Sequence, residues 1–378
     1  MRTINDVDTQ GKLQDLLERV RDNESCKVDY RVNTNDLEFK ANQETPHIIA
    51  EGSHGAPTQI FNVNDVCLDQ ITTDAGLSIK DGRRLSKDYP DEYSTLINAI
   101  WRQEPKVKLL RTYEVTDNIN NKARAWLSNK FKVFDHGHMI ESVMDSIASS
   151  DAQWKITQGV VTDKRMYMQF KSELAVAEPA VGDQMALGLN ISNSETGHGS
   201  VVIGQMMFTL ACLNGMQTAQ SLSRVRRPHL GKRVETDGAN VLQYIQQDTI
   251  AAQNHALRLE IRDTMRHMSD TKSFDRIIEQ MKTAHGRVVE GETSETVERL
   301  GQVLNLTKNE TKSVLNGLIE TLQQDGYQGK RINQATLVNA VTAVQHNVPD
   351  DDKSDWQRLG GKVLELPRTQ WEYVARAA

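Results

Sequence analysis

Between residues 107 and 212 the chain repeats one pattern: short segments in which apolar and polar residues alternate, separated by clusters of Asn, Asp, Gly and Ser. A period of two sends successive side chains to opposite faces of an extended backbone, so such segments form strands with one face on a core. VKLLRTYEV and KARAWLSNKFKVF are joined by DNINNK, a turn suited to a hairpin. A helical stretch, HMIESVMDSIAS, leads into WKITQGVVTDKRMYMQFKSEL; QMALGLNIS and SVVIGQMMFTLAC then flank NSETGHG. This order is not a βαβ alternation. It predicts an α+β fold, with an antiparallel sheet core flanked by helices.

After about residue 234 the alternation stops. NVLQYIQQDTIAAQNHALRLEIRDTMRHM has helical spacing and no breaker, and KNETKSVLNGLIETLQQDG and NQATLVNAVTAVQHNV continue in that style. TSETVERLGQVLNL opens with Thr293 or Ser294 ahead of Glu295 and Glu298, the pattern of a capping box. Toward the other end, TQGKLQDLLERVRD places Leu13, Leu16, Leu17 and Val20 on one helical face, and KVDYRVNTNDLEFKA reads as strand or hairpin. VNDVCLDQITTDAGLS and DEYSTLINAIWRQ read as helices. The turn-rich HIIAEGSHGAPTQI marks a boundary near residue 50. The expected organisation is an N-terminal extension (1–50), an α+β nucleic-acid-binding core (51–234) and a helical C-terminal region (235–378).

A net charge of −6 argues against a chain that coats nucleic acid over its whole surface, while leaving room for a local basic site. Cys26, Cys67 and Cys212 form no CxxC pair, so neither a zinc knuckle nor a disulfide framework is indicated. No apolar run approaches the length of about 18 residues that a membrane span requires, and MRTINDVDTQGKLQ lacks an apolar leader core. The expected location is the cytoplasm.

The densest basic run is RVRRPHLGKR, where Arg224, Arg226, Arg227, His229, Lys232 and Arg233 occur with no acid. Pro228 and Gly231 keep it from being helical, and cations on an extended arm with open backbone N–H groups suit phosphate. Arg111, Arg124, Lys130 and Arg165 on the alternating strands extend the set of candidate nucleic-acid contacts. Trp126, Phe131, Tyr167 and Phe170 offer faces on which bases stack, although large aromatics more often fill cores.

Three shorter motifs carry weaker chemistry. NSETGHGS brings Ser194, Glu195 and His198 together, a possible hydrolytic cluster, but it has neither a nucleophile elbow nor a phosphate loop and reads first as a hairpin turn. DHGH (Asp135, His136, His138) invites a metal, yet Asp135 at a helix entrance is ordinary capping chemistry. CLNGM contains an Asn214-Gly215 turn signal. No catalytic residue, metal ligand or cofactor is assigned, and the chain is not expected to be an enzyme.

The ordered series RAWLSNKFKVFD (124–135), VGDQMALGLNISNSETGHGSVVI (181–203), LACLNGM (210–216) and RRPHLGKR (226–233) resembles the phage/plasmid-like proteins of domain of unknown function 932. Leu213 stands where many relatives carry Thr, and residues 1–50 match no part of the pattern. By fold-level analogy the core is similar to ring-forming single-strand annealing recombination proteins. The resemblance implies ATP-independent binding and annealing of single-stranded DNA in phage or plasmid recombination. It further implies a homo-oligomeric ring or filament, and a nuclease or a single-strand-binding protein as partner. The alternatives are a nucleic-acid- or nucleotide-processing enzyme centred on Ser194, Glu195 and His198, and a phage protein that binds a host factor.

Overall fold

The computed structural model describes residues 6–42, 44–51, 57–114, 121–148, 150, 153–210, 214–218, 224–229, 242–244, 247–268, 272–324 and 327–376. The fold is α+β, built on two sheets rather than one.

Helix α1 (Asp6–Ser25) precedes strands β1 (Lys27–Asn33), β2 (Leu37–Lys40), β3 (His47–Ala50) and β4 (Gln59–Val63). Helices α2 (Asp65–Asp74), α3 (Ile79–Asp88) and α4 (Pro90–Gln103) then lead to β5 (Val107–Tyr113) and β6 (Lys122–Ser128). The first sheet has the order β13-β1-β5-β6-β4-β3-β2, where β13 is Leu242–Tyr244. All its pairs are antiparallel except β4–β6, which are parallel through Asn62↔Lys122 and Val63↔Ala123. One face buries Tyr30, Val32, Leu110 and Trp126 against Cys67 and Ile71 of α2 and Tyr93, Ile97 and Trp101 of α4. Asn64 caps α2, its side chain accepting from the Cys67 backbone N–H at 2.9 Å. Helix α3 buries Gly82 and Ser86 and packs Leu85 on the same core.

The boundary drawn at residue 50 runs through this sheet. Strands β1 to β3 precede it, and β1 lies between β5 and β13. The boundary at 234 is crossed as well, because β13 pairs with β1.

After α5 (His136–Ala148) the second sheet is a meander of β7 (Trp154–Val161), β8 (Met166–Ala180), β9 (Asp183–Asn193) and β10 (Val201–Thr209). The outer edge of β10 is shared by β11 (Asn214–Met216) along Met207–Thr209 and by β12 (Arg224–Arg227) along Val201–Gly204. Leu189 and Ile191 of β9, with Val201 and Ile203 of β10, pack against α1, α5 and α6 (Gln247–Met268). Met185 and Leu187, on the same face of β9, join a different core. That core is formed by α7 (Lys272–Gly286), α8 (Thr293–Leu304), α9 (Lys308–Leu322), α10 (Gln334–Ala343), α11 (Asp350–Leu364) and α12 (Arg368–Ala375). The opposite face of β8 and β9 carries amides: Gln169 Nε2 donates to Asn190 Oδ1 at 3.1 Å and to Gln357 Oε1 of α11 at 3.0 Å. With both faces covered, β9 is buried almost end to end.

The capping box expected at α8 does not form: Glu292 is its N-cap and makes no side-chain cap bond. The box occurs at α9, between Thr307 and Glu310. Helix α11 sits flush on the segment after β11, where a Cβ on Gly361 would lie 1.9 Å from the Gln217 carbonyl oxygen. Backbone cannot yield there as a side chain would. Gly361→Ala is therefore expected to lower stability by about 1–3 kcal/mol or more, read as a lower urea midpoint. Among the described residues, no helix is long and apolar enough to cross a membrane.

Candidate functional site

Three of the four motifs, those holding Arg124 and Asp135, Asn193 and Glu195, and His229, converge on one buried charge cluster. Its organiser is a bulge in β6. Arg111 pairs with Ala125 and Thr112 with Ala123, so Arg124 is the extra residue with no partner across the ladder. A bulge bends the strand and re-aims one side chain. Here it turns Arg124 to the same cluster that Arg111 enters, although alternation would separate the two.

Glu195 lies in the turn after β9. Its carboxylate accepts from Lys27 Nζ at 2.6 Å, from Arg124 Nη1 at 2.6 Å and from the His136 backbone N–H at 2.6 Å. Arg111 is wholly buried: Nε meets Asp29 Oδ1 at 2.9 Å, Nη2 meets Asp135 Oδ1 at 2.6 Å and Nη1 donates to the Glu195 carbonyl at 3.0 Å. Burial opposes the charge on Glu195, but the cationic side chains around it prevail and hold its carboxyl well below the usual carboxylate range. Burial pushes the His136 imidazole down to about 4, so it is neutral at pH 7 and Arg124 and Lys27 are the effective counter-charges. Asn193 completes the knot, its Nδ2 donating to the Phe134 carbonyl at 2.9 Å and lying 3.1 Å from His136 Nδ1.

These contacts correct several expectations. Arg111 and Arg124 do not stand on a solvent face, because each is committed to carboxylates inside the fold. His229 is buried too: Nε2 meets Asn193 Oδ1 at 3.0 Å, Nδ1 meets the Lys132 carbonyl at 2.8 Å, and the ring stacks on Phe131. It pins the basic arm to the core. Trp126, Tyr167 and Phe170 are core residues, and Trp126 stacks on Trp101. Ser194, Glu195 and His198 do not form a relay. Ser194 Oγ donates to the Lys164 carbonyl at 2.7 Å and accepts from the His198 backbone N–H at 2.9 Å, while His198 Nδ1 faces the Thr196 carbonyl at 3.0 Å. Ser194 has no imidazole partner to take its proton. In DHGH, Asp135 serves Arg111, and no group of three metal-ligating side chains occurs among the described residues.

The remaining predicted cations lie nearer the surface. Lys130 is exposed, and Arg165 is half-buried with Nε donating to the His198 carbonyl at 2.7 Å. Arg226 is exposed and touches Ser200 Oγ at 3.2 Å; Arg227 is exposed and paired with Glu260 at 2.8 Å. Arg224 lies in β12, and Lys232 and Arg233 lie outside the described residues.

Sequence reasoning missed Lys27, Asp29 and Tyr113. Arg124 lies over the Tyr113 ring, 4.8 Å from its centroid. Beside these residues opens a polar pocket of about 250 Å³, with Arg124, Glu195, His136 and Tyr113 among its walls. A buried cation beside a tyrosine and a saturated carboxylate gives a site that can hold a polar ligand.

No curated protein and no solved structure matches the chain. The family model described as domain of unknown function DUF932 matches residues 125–359, well over half of the chain. That span contains Asp135, Asn193, Glu195 and His229, the side chains that tie the motifs together, and the chain belongs to the DUF932 family.

Proposed function

We propose that this protein binds single-stranded DNA through sequence-independent contacts to phosphate and, as a self-assembling ring or filament, anneals complementary strands without ATP. One observation carries the reading: three cation-bearing turns are bound to one another at the edge of the second sheet. Arg226 of β12 reaches Ser200, Arg165 of the β7–β8 turn reaches the His198 carbonyl, and the His229 carbonyl accepts from the Lys132 backbone N–H at 3.2 Å. Lys130, Lys164, Arg226 and Arg227 are exposed around these links. Phosphate recognition needs such clustered cations and no base-edge readout. The exposed Arg227–Glu260 pair does not stand in the way, because surface ion pairs are weak and yield to a competing anion.

The test is the salt dependence of oligonucleotide binding. Replacing Arg226 and Arg227 by Ala removes two phosphate contacts, and the log–log slope is expected to shrink by about 1.4, at roughly 0.7 per phosphate for single strands. Unchanged affinity and slope would remove this surface from consideration. Electron microscopy with and without oligonucleotide tests assembly: rings or filaments that rearrange on single strands support annealing, and a lone protomer in both samples rejects it.

A further inference from the structure

Helix α3 carries Lys80, Arg83, Arg84 and Lys87, all of them exposed. Their spacing is i, i+3, i+4 and i+7, and residues so spaced share one face of a helix. Gly82 and Ser86, which are buried, and Leu85, which packs on the first-sheet core, lie on the other side. The helix is seated close, since a Cβ on Gly82 would lie 2.1 Å from Thr72 Cγ2 of α2. The four cations therefore form a stripe that faces away from the protein. Asp69 of α2 grips Arg83, accepting from Nε at 2.8 Å and from Nη2 at 2.7 Å. The side chains of Lys80, Arg84 and Lys87 have no ion pair or hydrogen bond among the described residues.

Such a stripe works against its own helix. Lys80 and Arg84, like Arg83 and Lys87, are equal charges at i, i+4, and neighbours of that kind repel. Lys80 also puts a cation in the first turn, where the helix dipole favours anions. A chain with a net charge of −6 has acids enough to interleave here, yet Asp81 is taken up by the N-cap, where it accepts from Ser78 Oγ at 2.7 Å. A polyanion lying along the stripe neutralises the cations together and turns the repulsion into affinity.

We infer, on the reading that this protein binds nucleic acid, that the outer face of α3 is a second phosphate-contacting surface, along which the backbone of a strand lies. Seven residues at 1.5 Å each make the stripe a rail of about 10 Å from Lys80 to Lys87. Contacts of this kind hold a backbone and read no base. Helix α2 ties the rail to the cation-bearing turns of the second sheet. Its Asp69 holds Arg83, and the next residue, Gln70, donates from Nε2 to the Thr196 carbonyl at 2.6 Å, in the turn whose His198 carbonyl holds Arg165. A protein that pairs two strands needs more than one hold on backbone, and the α3 rail is a second hold fixed to the first. A membrane surface is a poorer partner. An interfacial helix buries an apolar face among lipids, but Leu85 is turned to the core and Ile79 is the other apolar residue of α3.

The experiment measures binding of a labelled oligothymidine across a range of salt. Lys80→Ala/Arg84→Ala/Lys87→Ala removes three contacts, and the log–log slope is expected to shrink by about 2, at roughly 0.7 per phosphate for single strands. The same variant is expected to melt at the wild-type temperature or above it, because alanine is the best helix former and the repulsion is gone. A control triple, Lys308→Ala/Lys312→Ala/Arg368→Ala, removes exposed cations of α9 and α12 and is expected to keep the slope near wild type. A stripe variant with the wild-type slope overturns the surface. So does a control that loses as much, since net charge alone would then be at work. A lower melting temperature in the stripe variant assigns the cations to the helix itself and overturns the surface as well. Phosphatidylserine vesicles that hold the wild type more tightly than the oligonucleotide does, and release the stripe variant, reject nucleic acid as the partner. Arg226→Ala/Arg227→Ala separates this surface from the one at the second sheet. Slope lost there but not in the stripe variant rejects α3 alone, and slope lost only in the stripe variant keeps α3 and rejects the second-sheet edge. Wild-type protein that binds no strand rejects both.

Discussion

Glu195→Ala is expected to cost about 3–5 kcal/mol, the usual penalty for removing one partner of a buried ion pair. The size follows from what remains. Arg124, 2% exposed, loses the carboxylate it is bound to, Lys27 is left with Glu24, and the His136 N–H loses its acceptor. Against a total stability of roughly 5–15 kcal/mol, such a loss leaves a marginal protein. Glu195→Gln sharpens the point. It keeps shape and one oxygen but no charge, and is expected to be nearly as damaging. Urea midpoints of the two variants close to wild type would show that packing, not charge, holds the turn after β9.

Acid is expected to unfold the protein earlier than its carboxylates alone require. The folded pKa of His136 is about 4, below the ordinary value of 6.5, because burial disfavours the imidazolium. The unfolded chain takes up this proton as pH falls below 6.5 and the folded chain does not. Stability is thus lost progressively between about pH 6.5 and 4, by about 3 kcal/mol at 1.36 kcal/mol per unit. Burial lowers His198 and His229 too, so their contributions have the same sign. Glu195, held well below its ordinary 4.5, extends the loss toward lower pH, since the unfolded chain protonates there first. Urea unfolding at pH 7 and pH 4.5 checks this: equal stability at both would contradict the buried, neutral His136.

The longer strands were legible because period-two alternation is a local signal, whereas β3, the start of β4 and β13 lie in segments read as a turn-rich boundary or as helix. KARAWLS and QMALGLNIS appear as β6 and β9 where the pattern places them. The fate of the cations was not legible. Alternation separates two faces but does not say which one meets water, and along the middle of β5 and β6 neither does. Arg111 and Arg124 therefore looked like ligand contacts when they are buried charges. The bulge that brings them together is one unpaired residue, with no glycine or proline to announce it. The partners were invisible for a different reason, since Lys27 and Glu195 stand 168 residues apart. His229 is instructive: a histidine in a basic arm reads as part of the charge, and here burial between Phe131 and Asn193 makes it an anchor. The motif positions themselves marked the right place, because turns bound into a core need fixed side chains.

One face of β9 serves two cores, with Met185 and Leu187 in the C-terminal helical one and Leu189 and Ile191 in the one beneath α1, α5 and α6. The strand is then a shared wall between two rooms: each holds two side chains of one continuous row, so the two cores are joined through the backbone of a single strand. Asn193, two residues beyond Ile191, ends the same strand and enters the charge cluster. The helices after residue 272 thus share a strand with the end of the fold that carries the pocket, although none of them lines it.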